Sequence, residues 1–385
     1  MLSGVVGAFG LLVCVAGAVA PRTAQPATYR IMFVGTYTRA PSKGIYAYRL
    51  GANGEIAPMA NAGLAAETEN PSFLAVHPNQ RFLYAVNEVS KYEGRDTGSI
   101  SAFSIDRATG TLTLLNRVSS RGGSPCHLTI DASGRWLFVA NYGDGSIAAF
   151  PLQDDGRLGQ SSSYFQASGS SVDKARQSGP HAHAVVVSPD NRFLLTADLG
   201  VDRVFAFRLN PPSGGMVVDE LQVASVAAGS GPRHLAFRPD GRFVYVLNEL
   251  LSNVAAFRYD AARGRLAELQ TVSTLPQGFT GDNSGAEIAV HPNTRFLYTS
   301  NRGHDSIAAF RIDAAAGTLT AIGHTPTQGR TPRNFAIDPS GRFLIAANQN
   351  SGNVVVFRID PETGALTPAG TTLQVPSPVC IVFAG

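Results

Sequence analysis

One pattern, Pro-x-x-x-apolar-x-x-Pro-x-x-Arg-Phe-Leu-x-x-x-Asn, returns six times with variations along this chain. It reads "NPSFLAVHPNQRFLYAVNE" from Asn70, "SPCHLTIDASGRWLFVANYG" from Ser124 and "HAHAVVVSPDNRFLLTADLG" from His181. It continues as "GPRHLAFRPDGRFVYVLNEL" from Gly231, "GAEIAVHPNTRFLYTSNRG" from Gly285 and "TPRNFAIDPSGRFLIAANQN" from Thr331. Each copy is followed by a second apolar alternation such as "GSIAAF" or "GNVVVFRID", then a turn such as "AAAG" or "PETG", then another short apolar run. Four short strands per unit, parted by Gly, Asp, Asn or Pro turns at a period of about 50 residues, are the signature of a β-propeller blade. The chain ends complete the count. "RIMFVGTYT" from Arg30 is a second strand lacking a first, and "PVCIVF" from Pro378 is a first strand lacking a second. Together they predict a seventh blade, and with it an all-β, seven-bladed propeller over residues 29–385. Closing the ring with the N- and C-terminal strands removes the open sheet edge that would invite aggregation.

Composition narrows the class. With 40 Gly, 23 Pro and only 15% charged residues, the chain suits turn-rich β structure and carries no long helical pattern. The formal charge of +3 is small and the arginines are scattered, so no basic tract calls for nucleic acid or an anionic membrane. The apolar run from Val5 to Ala20 ends in Ala18-Val19-Ala20 and reads as a secretory signal over 1–20, followed by a linker over 21–28. An exported protein, periplasmic or extracellular, is therefore expected. The run is too short for a membrane span. Removing it leaves Cys126 and Cys380, too few for a disulfide framework. A monomer is expected.

Repeat positions that stay constant serve the blade, and positions that diversify need another reason. Registered on the second-strand arginines (Arg30, Arg81, Arg135, Arg192, Arg242, Arg295 and Arg342), the sixth residue on is Thr36, Asn87, Asn141, Asp198, Asn248, Asn301 or Asn348. This column is expected to satisfy the backbone of the turn that follows. One position further the column breaks into Tyr37, Glu88, Tyr142, Leu199, Glu249, Arg302 and Gln349. Two columns before the first strand break likewise. One runs Ser72, Cys126, His183, Arg233, Ala286, Arg333 and Val379, and the other Phe73, His127, Ala184, His234, Glu287, Asn334 and Cys380. In an antiparallel blade the start of strand one and the end of strand two lie on one face of the disc. His127, His183, Arg233, His234, Glu249, Glu287, Arg302, Arg333 and Asn334 are thus predicted to converge at one mouth of the central channel. Arginines there bind anions bidentately, and His and Glu move protons near neutral pH. Structural readings stand beside these: His127 and His234 as backbone partners, Glu88 and Glu287 as ion-pair partners of neighbouring arginines. His181 and His183, in "PHAH", point to the same side of a strand and offer two metal ligands, but a metal site needs a third from another blade. The expectation is no metal and no cofactor.

The motifs "VGTYT" at Val34, "RQSGPHAH" at Arg176, "GPRHLAF" at Gly231, "VLNEL" at Val246, "AEI" at Ala286 and "SNRGHDSIAAF" at Ser300 resemble the seven-bladed propeller lactonase family. That family includes the propeller-type 6-phosphogluconolactonases and the 3-carboxy-cis,cis-muconate lactonizing enzyme. The resemblance covers the chain after the leader. It implies a metal-independent lactone hydrolase, or the related cyclisation, with His183, Arg233, Glu249 and Arg302 as the motif-matched residues. On that reading His183 or Glu249 transfers the proton, Arg233 stabilises the oxyanion and Arg302 anchors the substrate. His127, His181, His234, Glu287, Arg333 and Asn334 complete the contacts to a small-molecule lactone. The competing class is a non-enzymatic binding propeller, since "LFVANYGDGSIAAF" is also similar to YVTN-type repeats.

Overall fold

The computed structural model describes residues 1–2, 4, 29–59, 61–210 and 215–385. The expected leader over 1–20 and linker over 21–28 lie outside these, apart from 1, 2 and 4. The six repeats become six four-stranded antiparallel sheets. Their inner strands are Leu74–Val76, Pro125–Ile130, Ala182–Val187, Pro232–Phe237, Ser284–Val290 and Pro332–Ile337, numbered here as blades 1 to 6. Blade 7 takes Pro378–Ala384 from one end of the chain as its inner strand and Tyr29–Thr36 from the other as its second. Ile31 faces Ala384 and Phe33 faces Val382, so the ring is closed by backbone hydrogen bonds. The seven inner strands pack against one another around the axis.

Burial follows from this stacking. Second strands such as Phe193–Asp198 and Phe243–Asn248 are buried at every residue, because neighbouring blades cover both faces. This is why they read as continuous apolar runs. The outer strand Arg265–Ser273 has no buried residue. Neighbouring blades share apolar clusters; in one, Met32 and Val34 of blade 7 meet Phe343, Ile345 and Val354 of blade 6.

The Arg-Phe pair that five of the seven blades share also joins blades. Phe82, Phe193, Phe243, Phe296 and Phe343 each lie under a glycine of an outer hairpin on a neighbouring blade: Gly156, Gly264, Gly317, Gly364 and Gly54 respectively. A Cβ at Gly317 would come within 2.2 Å of the Phe243 ring.

The Asn column works differently from expectation. Asn141, Asn301 and Asn348 donate from Nδ2 to Ser120 O (3.1 Å), Thr274 O (2.7 Å) and Thr327 O (3.1 Å). These carbonyls end the preceding blade's outer strand; they do not belong to the turn that follows. At these three positions the amide reaches back to the neighbouring blade, while Asn141 and Asn301 also donate to the hydroxyls of Ser146 (3.0 Å) and Ser306 (3.3 Å) after the turn that follows. Asp198 keeps the expected role in part, accepting from Gly200 N at 2.9 Å. Among the described residues no helix is long and apolar enough to cross a membrane.

Candidate active site

On a regular strand, consecutive side chains point to opposite faces, so two adjacent columns should not both enter a channel. A β-bulge resolves this. In blade 4, Pro232 pairs with Asn248 and His234 with Leu247, leaving Arg233 without an opposite residue. The same one-residue insertion falls at Cys126 in blade 2, His183 in blade 3, Arg333 in blade 6 and Val379 in blade 7, and within Ala286-Glu287 of blade 5. Six of the seven inner strands therefore kink where the diversified residues stand.

Glu249 is the centre of the site. Its side chain is 6% exposed and takes three guanidiniums: Arg176 Nη2 at 2.7 Å on Oε1, with Arg233 Nε at 3.0 Å and Arg302 Nη2 at 2.9 Å on Oε2. Burial would raise its pKa, but Arg302, Arg233 and Arg176 outweigh burial and hold the carboxyl at about 2. It is a fixed anion, not a proton acceptor near neutrality. Burial lowers Arg302 to about 10 despite Glu249. Arg176 is the outermost of the group, its side chain 41% exposed.

Beside this cluster His181 stacks on Tyr142, with ring centroids 4.5 Å apart. Its Nδ1 lies 2.7 Å from Tyr142 O, and its backbone N–H donates to Asp198 at 2.8 Å. A carbonyl only accepts, so Nδ1 carries a hydrogen, and in the neutral ring Nε2 is the nitrogen left to accept. Burial pushes the Asp198 carboxyl up to about 6. His183 is more enclosed: its ring packs edge-on to Tyr142 and His234, and its Nδ1 lies 3.7 Å from Cys126 Sγ. Burial, reinforced by Arg233, holds this imidazole well below the usual histidine range. Burial likewise pushes the Cys126 thiol up, leaving it a neutral packing group.

Further along the inner strands the second column closes on itself. Arg233 Nη1 lies 3.2 Å from His234 Nε2, and His234 Nδ1 lies 2.9 Å from Glu287 Oε1. Glu287 Oε2 accepts from Asn334 Nδ2 at 2.5 Å. His127 stacks on Phe73 at 4.0 Å and meets His234 edge-on at 5.1 Å. Arg333 lies over the Tyr37 ring, whose hydroxyl donates to Glu88 at 2.9 Å.

The ten residues singled out in the sequence fall into two adjoining groups, apart from Arg333, which lies over Tyr37. Arg302, Glu249, Arg233, His181 and His183 group with Arg176. His127, His234, Glu287 and Asn334 are each at most 8% exposed. His234, Glu287 and Asn334 line, with Arg233 and Arg333, a cavity of about 10 Å³, room for about one water. A larger groove of about 340 Å³ lies at the far end of blades 6 and 7, but Arg30 and Arg342 there donate to the Gly385 and Ala52 carbonyls and no histidine lines it. Register reasoning missed Arg176, which sits on the loop before blade 3, outside every strand column. Its one signal was its place at the head of "RQSGPHAH". Tyr142 and Cys126 stood in the diversified columns without being singled out. Among the described residues no group of three or more His, Cys, Asp or Glu is arranged around a common metal position.

The fold and this cluster define a class: a seven-bladed propeller that gathers guanidiniums, a carboxylate and histidines between neighbouring blades. Residues 31–383 match the family described as Lactonase, 7-bladed beta-propeller, and the chain belongs to that family and is a lactone hydrolase. It is 38% identical over 356 residues to the 6-phosphogluconolactonase of Bacillus subtilis, spanning 92% of this chain and 99% of that one. It is also 38% identical over 312 residues to the 6-phosphogluconolactonase of Formosa agariphila, spanning 79% and 85%. The solved structure of the Pseudomonas aeruginosa periplasmic gluconolactonase PpgL superposes with a TM-score of 0.85 at 35% identity, over 93% of this chain and 99% of that one. These relatives do not favour the lactonizing cycloisomerase or the binding propeller.

Proposed function

We propose that this chain hydrolyses a sugar δ-lactone at the Glu249 cluster without a metal ion. The observation that carries the reading is the guanidinium-bound carboxylate Glu249 with a nearby histidine, His181, whose Nδ1 hydrogen is engaged by the Tyr142 carbonyl. Water gives its proton to His181 Nε2 as its oxygen attacks the lactone carbonyl. The oxyanion forms against the guanidinium of Arg233, whose Nη2 has no hydrogen bond to another described residue, with Arg302 beside it. Collapse breaks the ring C–O bond, and the imidazolium returns its proton to the leaving alkoxide, giving a hydroxy acid. Glu249 holds the guanidiniums in place, and Arg176 at the rim meets the substrate's hydroxyl or anionic end. His183, enclosed and neutral, orients the substrate and takes no proton.

A cluster of guanidiniums repels a divalent cation, which supports the metal-free reading. We propose a monomer as the working unit. Export is part of the proposal too, on the apolar run over 5–20 and the likeness to a periplasmic gluconolactonase. The test is acid release from δ-gluconolactone and 6-phosphogluconolactone, with and without EDTA, after subtracting spontaneous ring opening. Turnover unchanged by EDTA is expected, and the ratio of kcat/KM for the two substrates reports how far phosphate is recognised. Loss of turnover on chelation would sink the metal-free mechanism.

A further inference from the structure

Arg233 is 2% exposed, and a guanidinium in such a place needs its charge and its orientation supplied by neighbours. Glu249 is shared with two other arginines, so it answers only part of that need. The remainder lies on the opposite side of the guanidinium. Arg233 Nη1 donates to the Ala286 carbonyl and lies 3.2 Å from His234 Nε2. A guanidinium has no lone pair to offer, so His234 Nε2 is the acceptor and the ring hydrogen is on Nδ1. That hydrogen points at Glu287 Oε1, 2.9 Å away. Every other partner of Glu287 also donates: Ile288 N at 2.9 Å to Oε1 and Asn334 Nδ2 at 2.5 Å to Oε2. A group surrounded only by donors is in the environment of a carboxylate. Asn334 is oriented in turn, its Oδ1 accepting from Ile381 N at 2.9 Å. The chain of contacts runs from blade 7 through blades 6 and 5 to the guanidinium in blade 4.

We propose that Glu287 and His234 are positioning residues, a buried carboxylate–imidazole relay that fixes the orientation and balances the charge of Arg233 without touching substrate. This replaces the substrate contact that the sequence pattern assigned to both, and it rests on reading Arg233 as the group that meets the oxyanion. A guanidinium fixed on one side by Glu249 and on the other by His234 loses little freedom when charge develops at the carbonyl.

Two measurements test this. With whichever lactone the native enzyme opens fastest, Glu287→Gln and His234→Gln are expected to lower kcat about tenfold to a hundredfold and to move KM less than about threefold. In an Arg233→Ala background the same substitutions are expected to add almost nothing, because the group they position is gone. A raised KM with kcat intact would return both residues to substrate binding and overturn the relay. So would a full additional loss in the Arg233→Ala background. The second measurement needs neither activity nor a variant fold. ¹⁵N NMR of native protein labelled at histidine should show His234 protonated at Nδ1 and bare at Nε2. The opposite tautomer overturns the relay even if lactonase activity is present. The Nδ1–H tautomer in a protein that opens no lactone would leave the relay standing and remove the hydrolase reading.

Discussion

At the scale of the residue, Glu249 determines the electrostatics of the site. It is buried with three guanidiniums, so removing its charge leaves three cations facing one another. Glu249→Gln is expected to destabilise the fold by about 3–5 kcal/mol and to abolish turnover, read by thermal melting beside the lactone assay. His181 and His183 make a contrasting pair. His181→Ala is expected to lower kcat about 10²- to 10⁴-fold, as loss of a general base does. His183→Gln, which keeps a neutral polar group, is expected to cost less than tenfold in kcat. The reverse order would hand the base to His183. This distinction could not be read from "PHAH", where the two are equivalent. It comes from Tyr142, whose carbonyl fixes one ring and whose side chain belongs to a different blade.

At the scale of the element, the bulged inner strand is what converts a structural repeat into a site. Arg233 and His234, or Arg333 and Asn334, are neighbours that a flat strand would send to opposite faces. The extra residue lets Arg233 reach Glu249 while His234 reaches Glu287. The loop before blade 3 is the other such element. Asp202, 4% exposed, accepts from Ser171 Oγ (2.5 Å) and Gln177 Nε2 (2.8 Å) on that loop, and from Gly229 N and Gly231 N (both 2.7 Å) ahead of the Arg233 strand. One carboxylate thus fixes Arg176's loop against Arg233's strand. Blade contacts permit a sharper test. Gly317 has φ +76° and no room for a Cβ, so Gly317→Ala is expected to cost about 2 kcal/mol or more. Gly323, on the outer strand of the same blade, has nothing within 4 Å of a built Cβ. There, Gly323→Ala is expected to be neutral or to stabilise by about 0.5–1 kcal/mol. Urea denaturation of the two variants reads both signs.

At the scale of the whole molecule, the ring and its closure were legible because the physics is local and repeated. Each "RFLYAVN"-like run is a strand buried on both faces, and "RIMFVGTYT" and "PVCIVF" can satisfy their edges only on each other. The convergence of Arg233, Glu249 and Arg302 was legible for the same reason, since strand ends share a face whatever lies between them. What was not legible depends on side-chain reach. Whether His234 faces substrate or Glu287, and which nitrogen of His181 is free, is decided across blades by atoms the register does not order. Burial of several neutral imidazoles has a consequence for the whole fold. His127, His183 and His234 are all held well below the usual histidine range, chiefly by burial. As pH falls below about 6.5 the unfolded chain takes up three protons that the folded one refuses. Asp198, held at about 6, and Glu287, raised by burial, work in the opposite sense, each taking up a proton when folded before it would when unfolded. At least one proton remains uncompensated, so stability should fall by about 1.4 kcal/mol per pH unit below about pH 6.5. Melting curves from pH 7.5 to pH 5 test this, and a midpoint that stays level or rises would refute it.

The central claim, that a guanidinium set by Glu249 drives lactone opening, meets its most direct test in a pH-stat comparison of native protein and Arg233→Ala on δ-gluconolactone. The account predicts acid release well above the spontaneous rate for the native chain, and a loss of about 10²-fold or more in kcat/KM for the variant. Equal rates in the two proteins, with both above background, would place the chemistry elsewhere and contradict the account.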